Sequence, residues 1–267
     1  MAAIEHIREA GISHLELALR PHNFGGLVIP EDAVLTEKSP DAAYHAALDA
    51  MQRHGVRISG CNIGGADLRT EDGLQTTIAR LRCARRWFGA SVAVSGAGQP
   101  ENAEQSRLVV EHLKRLGEIA QELGMTVAFE THKGPTQNAS AMLDLMRTLD
   151  HPALRLNFDT GNIAYYNHGL DPVAELRKVI NIVANVHLKD NRGGFEDWYF
   201  PAIGDAGAVD FAAVRETLDA AGYNGALVIE IEGIGGEPEP GLEARLDRIK
   251  RSVAHLSATG YFDSLAG

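Results

Sequence analysis

Apolar residues fall into two alternating patterns along this chain. Seven short runs, at residues 13–19, 56–61, 91–94, 126–130, 154–159, 184–188 and 226–231, are rich in β-branched and alternating apolar positions and read as strands. Longer stretches with amphipathic helical spacing separate them. The runs start 28 to 43 residues apart, which leaves room for one helix and two loops per strand, so each step reads as a βα unit. Gly11, Gly55, Gly89, Gly124 and Gly222 stand where helical stretches give way to the next run, the place for a residue that tolerates positive φ.

Repeated βα units without a break in composition predict a (β/α)8 TIM barrel, a single domain over residues 1–267. The competing doubly wound sheet usually carries a Gly-rich phosphate loop, and neither GxGxxG nor GxxxxGK[ST] occurs. The chain opens in a helical stretch at residues 2–10 and seven strands are counted, which predicts either that the native chain begins upstream of Met1 with the first strand or that the barrel is open at one seam. An open seam leaves unpaired strand edges. A homo-oligomer is therefore expected, with residues 257–267, including Tyr261, Phe262 and Leu265, as an internal alternative for covering the seam.

Strand alternation sorts the side chains onto two faces. Ala128, Glu130 and His132 share one face, against Val127 and Phe129. Asn157 and Asp159 oppose Leu156 and Phe158. Asn185, His187 and Lys189 oppose Val186 and Leu188. Val228, Glu230 and Glu232 oppose Leu227, Ile229 and Ile231. The bulky apolar set suits packing on helices. The other set places Glu130, Asp159, His187 and Glu230 at the C-terminal ends of four consecutive strands, the end of a barrel where active sites form. Charges converging there repel one another unless a cation sits among them. Three carboxylates and one imidazole suit Mn²⁺, Mg²⁺ or Co²⁺ better than Zn²⁺.

Composition narrows the function. Lys and Arg total 25 against 36 Asp and Glu, a net charge of −11, which repels phosphate backbones and argues against a nucleic-acid partner. No apolar run approaches the roughly 20 residues of a membrane span, and the first residues show no secretory pattern. Cys61 and Cys83 provide no disulfide framework and fit a reducing, cytoplasmic setting.

Glu130 in VAFETH, Asp159 in NFDTGN, His187, Lys189 and Asp190 in VHLKD, and Glu230 in GALVIE resemble the metal-site motifs of the xylose-isomerase-like TIM barrels. That superfamily includes sugar isomerases, ketose 3-epimerases, inosose dehydratases and apurinic endonucleases. The resemblance runs from about residue 11 to about residue 232. It implies that Glu130, Asp159, His187 and Glu230 bind one divalent ion and that the two glutamates also move protons. Many members carry a His three residues after the Asp; this chain has Asn162 there.

Chelation of a hydroxyl and its neighbouring carbonyl acidifies the C–H between them, and a carboxylate in reach removes the proton. The enediolate then leads to epimerisation, aldose–ketose isomerisation, or loss of a leaving group. The first reading is a sugar or keto-sugar isomerase or epimerase. The alternatives are a lyase, of the inosose dehydratase or eliminating C-glycoside deglycosidase type with a small partner subunit, and a non-catalytic barrel. His132 is expected as a further acid/base or hydroxyl ligand. Lys189 holds a substrate oxygen or pairs with Asp190 or Glu232. His22, Asn62 and Asn162 are expected to line the substrate pocket, and Trp198, in the long loop after the His187 strand, to stack on substrate or on a neighbouring subunit. Without a phosphate cradle, the expected substrate is a neutral sugar, keto-sugar or cyclitol.

Overall fold

The computed structural model describes residues 2–19 and 35–262. His22 and Leu265 therefore lie outside the described residues. Strand β1 (His14–Ala18) follows helix α1 (Ala2–His6) and a 3-10 turn at Ile7–Ala10. Then come α2 (Asp41–His54), β2 (Arg57–Asn62), α3 (Glu71–Phe88), β3 (Val92–Ser95), α4 (Ala103–Glu122), β4 (Thr126–Glu130) and α5 (Ala139–Leu149). Strand β5 (Leu154–Asp159) leads into the short α6 (Thr160–Tyr166), then α7 (Pro172–Val179) and β6 (Val183–Leu188). The last part holds β7 (Tyr199–Phe200), α8 (Phe211–Ala220), β8 (Ala226–Ile229), β9 (Gly233–Ile234) and α9 (Leu242–Ala258).

Local chemistry accounts for most of these boundaries. Thr70, Asn102, Asn138, Asp171 and Asp210 each accept a hydrogen bond from backbone N–H groups in the first turn of the helix they precede. The five glycines that the sequence marks as helix stops all adopt positive φ, between 62° and 80°.

Seven strands form one parallel sheet in the order β1-β2-β3-β4-β5-β6-β8, rolled into a nearly closed TIM barrel. Val127, Phe129, Leu156, Phe158, Val186 and Leu188 pack into the two larger apolar clusters with the surrounding helices, as the alternation requires. The last strand is shorter than the expected run to residue 231. Glu230 N still donates to Leu188 O at 3.0 Å, but Gly233, at φ 91°, turns the chain into the β7–β9 antiparallel ribbon.

Among the described residues β1 and β8 do not pair, so the seam expected from the strand count is present. It is bridged from outside by α9, whose Ile249 packs on the cluster of Ile4, Ile7, Ala50, Met51 and Val56. The C-terminal segment does not take that role as far as it is described. Tyr261 packs on the apolar cluster to which α8 contributes Phe211 and Val214, and its hydroxyl donates to Phe211 O at 2.8 Å. The outer face of β8 stays open, with Leu227 39% exposed.

One buried ion pair steadies the mouth. Arg80 of α3, 3% exposed, donates from Nε to Glu37 at 2.8 Å and from a terminal nitrogen to Gly64 O at 2.6 Å. It joins the segment before α2 to the loop after β2. Arg80→Ala strands the Glu37 carboxylate and is expected to cost about 3–5 kcal/mol, read by urea denaturation. A change under about 1 kcal/mol would show that the pair is effectively solvated.

Candidate metal centre

The strand ends bring Glu130, Asp159, His187 and Glu230 together, with one ligand-type atom of each within 4.8 Å of all the others. Asp159 is fully buried and has two tasks. Its Oδ1 accepts from the backbone N–H of Gly161 and Asn162, both at 2.9 Å, and so caps α6. Its Oδ2 is buried and makes no hydrogen bond. Its backbone N–H donates to Thr131 Oγ1 at 3.0 Å, which ties β5 to the end of β4.

His187 is held between two sets of carboxylates. Its Nε2 lies 3.2 Å from both oxygens of Glu16, and its Nδ1 lies 2.9 Å from Glu230 and 3.7 Å from Glu130. Burial opposes charge on the ring. Glu16 and Glu230, with Glu130, nevertheless raise its pKa well above the ordinary imidazole range. A ligating imidazole has to give up its Nδ1 proton, so uptake of a divalent ion would replace that single positive charge by two.

Lys189, 1% exposed, reaches Glu232 at 2.7 Å, Glu230 at 3.4 Å and Asp159 at 3.5 Å, and its ammonium sits 4.5 Å from the centre of the Phe200 ring. Burial opposes its charge too, but Asp159, Glu230 and Glu232 keep it protonated. Burial pushes Glu232 up to about 7, against the pull of Lys189. Burial likewise lifts Asp159 well above the usual carboxylate range, with Lys189 opposing and Glu230 adding to the rise. For Glu230 the balance reverses: Lys189 and His187 outweigh burial and hold it well below its ordinary value.

The residues fit a divalent ion. Asp159 Oδ2, His187 Nδ1 and Glu230 Oε2 are buried together and make no well-formed hydrogen bond; their polar neighbours are one another and the Lys189 ammonium, a crowding of donor atoms that an ion would relieve. Glu16, Glu130, Asp159, Glu230 and Glu232 outnumber the cations Lys189 and His187. Oxygen donors with one imidazole nitrogen suit Mg²⁺, Mn²⁺ or Co²⁺.

The other expected residues fall into different places. His132 is engaged at both ring nitrogens, with Gln99 Nε2 2.9 Å from Nδ1 and the Tyr166 hydroxyl 2.8 Å from Nε2. Burial lowers its pKa, which favours the neutral ring. The Asn162 side chain donates to Thr131 O at 2.9 Å, bracing the loop after β4 rather than extending into the cluster. Asn62 accepts from Gly64 N at 3.1 Å within its own turn. Trp198 packs edge-to-face on Tyr165 and Phe200, at centroid distances of 5.7 and 5.2 Å, beside the ring that covers Lys189.

Asp190 does not pair with Lys189. It anchors the long loop by accepting from the backbone N–H of Asn191, Gly204 and Val209. Gly207 lies so close that an added Cβ would sit 1.8 Å from Asp190 Oδ1. Gly207→Ala is expected to displace that anchor, lower stability by about 1–3 kcal/mol and raise KM. Steady-state kinetics beside a denaturation curve check it, and unchanged values of both would remove Asp190 as the anchor.

Glu16 is the site residue that sequence reasoning missed. Its only signal was a charge in the middle of the apolar HLELA run, on the face shared with His14 and Ala18.

Comparisons with known proteins agree with this architecture. The inosose dehydratase of Erwinia tasmaniensis is 36% identical over 146 residues, covering 48% of this chain and 48% of that protein. The inosose dehydratase of Clostridium beijerinckii is 31% identical over 147 residues, covering 49% and 48%. The chain thus spans about half the length of the curated relatives it matches. A xylose isomerase domain protein from Planctomyces limnophilus superposes with a TM-score of 0.71 at 20% identity, covering 97% of this chain and 92% of that one. D-Psicose 3-epimerase from Clostridium cellulolyticum gives 0.70 at 14% identity, covering 97% and 91%; these two likenesses show the fold. The family pattern described as xylose isomerase-like TIM barrel matches residues 4–252, nearly all of the ring and its strand-end cluster, and the chain belongs to that family.

Proposed function

We propose that this chain is a divalent-metal-dependent enzyme that removes a proton beside a carbonyl of a neutral keto-sugar or keto-cyclitol, and that the usual outcome is loss of a β-hydroxyl as water. Glu130, Asp159, His187 and Glu230 would hold the ion, which supplies Lewis-acid polarisation of the carbonyl and stabilises charge developing on its oxygen.

The observation that carries the choice is the unequal setting of the two glutamates. Glu230 lies 3.4 Å from the Lys189 ammonium, whose charge remains when an ion binds and makes this glutamate the weaker base. Among the described residues Glu130 pairs with no lysine or arginine, and it is the carboxylate left to take the carbon-bound proton. Elimination needs one such base and one acid. The C–H electrons become the new C=C bond, the β C–O bond breaks, and the departing hydroxide takes a proton and leaves as water. The Tyr166 hydroxyl, bound to His132, is the donor assigned to that oxygen. Tyr165 and Trp198, backed by the buried Phe200, are assigned to an apolar ring face of the substrate. The matches to inosose dehydratases support elimination.

Epimerisation is the second reading. It is favoured by the presence of both glutamates in one cluster, and it requires Glu230 to return a proton to the opposite face. Turnover of an inosose and of a panel of ketohexoses, followed by NMR, separates the two: elimination gives a product lighter by one water, epimerisation an isomer of equal mass. Tyr166→Phe is expected to lower kcat about a hundredfold while metal affinity is kept. Wild-type kcat in that variant would take Tyr166 out of the chemistry.

A further inference from the structure

The ring of side chains below the cluster is polar, where barrel interiors are normally filled by branched apolar residues. Glu16 (β1), Asn157 (β5) and Asn185 (β6) meet there. Asn185 Nδ2 donates to Glu16 Oε2 and to Asn157 Oδ1, each at 3.0 Å, and the Glu16 side chain is 7% exposed. A buried carboxylate in a barrel core costs several kcal/mol unless it is paired and hydrogen-bonded, and an apolar side chain would fill the space at less cost.

Two register shifts lie beside these residues. Between β1 and β2 the ladder pairs Leu15 with Ile58 and then Glu16 with Gly60, skipping Ser59. Between β5 and β6 it pairs Leu156 with Val183 and then Asn157 with Asn185, skipping Ala184. A one-residue slip moves every following side chain to the other face, and bulges commonly re-aim side chains beside active sites. The skipped Ala184 thus sets Asn185 and His187 inward, where they meet Glu16, which the alternation of β1 turns to the same interior; the skipped Ser59 places Gly60, with no side chain, beside Glu16.

We propose that Glu16 is a positioning residue for His187: its carboxylate holds Nε2–H, so that Nδ1 faces the metal-binding cluster. Both oxygens lie 3.2 Å from Nε2, and Asn185 prevents the carboxylate from swinging away. Glu16 is not among the four clustered donors, so it acts through the ring. A carboxylate at the far nitrogen fixes ring orientation and strengthens the donor nitrogen. This inference rests on the metal-dependent reading above.

The test compares wild type with Glu16→Leu and Glu16→Gln by Mn²⁺ titration calorimetry and by the His187 ring ¹H–¹⁵N signals, recorded metal-free and with Mg²⁺. Glu16→Leu is expected to weaken Mn²⁺ binding about 10- to 100-fold and to lose the downfield Nε2–H signal. Glu16→Gln, which keeps an acceptor oxygen, is expected to stay within a few-fold of wild type and to retain the signal. If Glu16→Leu fails to fold, Asn185→Ala frees the carboxylate and is expected to give an intermediate loss. Wild-type affinity and an unchanged Nε2–H signal in Glu16→Leu would overturn the proposal, as would Glu16→Gln behaving like Glu16→Leu. A wild-type protein that takes up neither Mn²⁺ nor Mg²⁺ would instead overturn the metal reading. The metal-free Nε2–H signal would then still decide the role of Glu16.

Discussion

Asp159→Asn is expected to lose divalent-ion binding and turnover together while the barrel stays folded. The separation follows from the two oxygens of Asp159. Oδ1 caps α6 through Gly161 and Asn162, and the amide oxygen of Asn can accept the same two bonds. Oδ2 lies buried in the cluster without a hydrogen bond, 3.5 Å from the Lys189 ammonium, and there the substitution replaces an anionic donor by an amide nitrogen, which does not ligate a hard cation. The expected effect is a fall in Mn²⁺ affinity of at least about a hundredfold, beyond what loss of a supporting hydrogen bond produces. Calorimetric titration beside a circular dichroism spectrum checks it. A folded variant with wild-type affinity would remove Asp159 from the donor set.

The second large effect separates the two glutamates. With metal at saturation, Glu130→Gln is expected to lower kcat by about 10²–10⁴-fold, the range for loss of a general base. Glu230→Gln breaks the contacts with Lys189 and His187 and is expected to act first on metal affinity. Raising the metal concentration should therefore restore a large part of its activity and none of that of Glu130→Gln. Restoration in the reverse order would exchange the two roles, and losses in both variants that metal does not restore would favour the epimerase reading.

Much of the architecture was legible because period-2 alternation is a local property. Phe129 and Glu130, or Phe158 and Asp159, are neighbours in sequence with opposite environments, and that contrast survives in the folded strands. The glycine stops were legible for the same reason. Register was not. The shifts beside Glu16 and at Ala184 depend on two strands at once, so no single run showed that Glu16 reaches a histidine 171 positions away. His132 is a similar case. Its place on the inward face followed from Glu130, but Gln99 and Tyr166, which occupy its two nitrogens, come from the loop after β3 and the end of α6. The strand ending before residue 231 also depended on context, because the β7–β9 ribbon draws the chain away after Gly233.

The most direct measurement of the central claim is exchange of substrate C–H in D₂O, followed by NMR on an inosose and a keto-sugar panel, with protein stripped by chelator and then reloaded with Mg²⁺, Mn²⁺ or Co²⁺. Metal-dependent proton removal predicts no reaction in the stripped protein. After reloading it predicts deuterium at the carbon beside the carbonyl, or the product of water loss. Exchange or turnover that persists undiminished without a divalent ion, or a fully loaded protein inert toward every substrate of the panel, would contradict it.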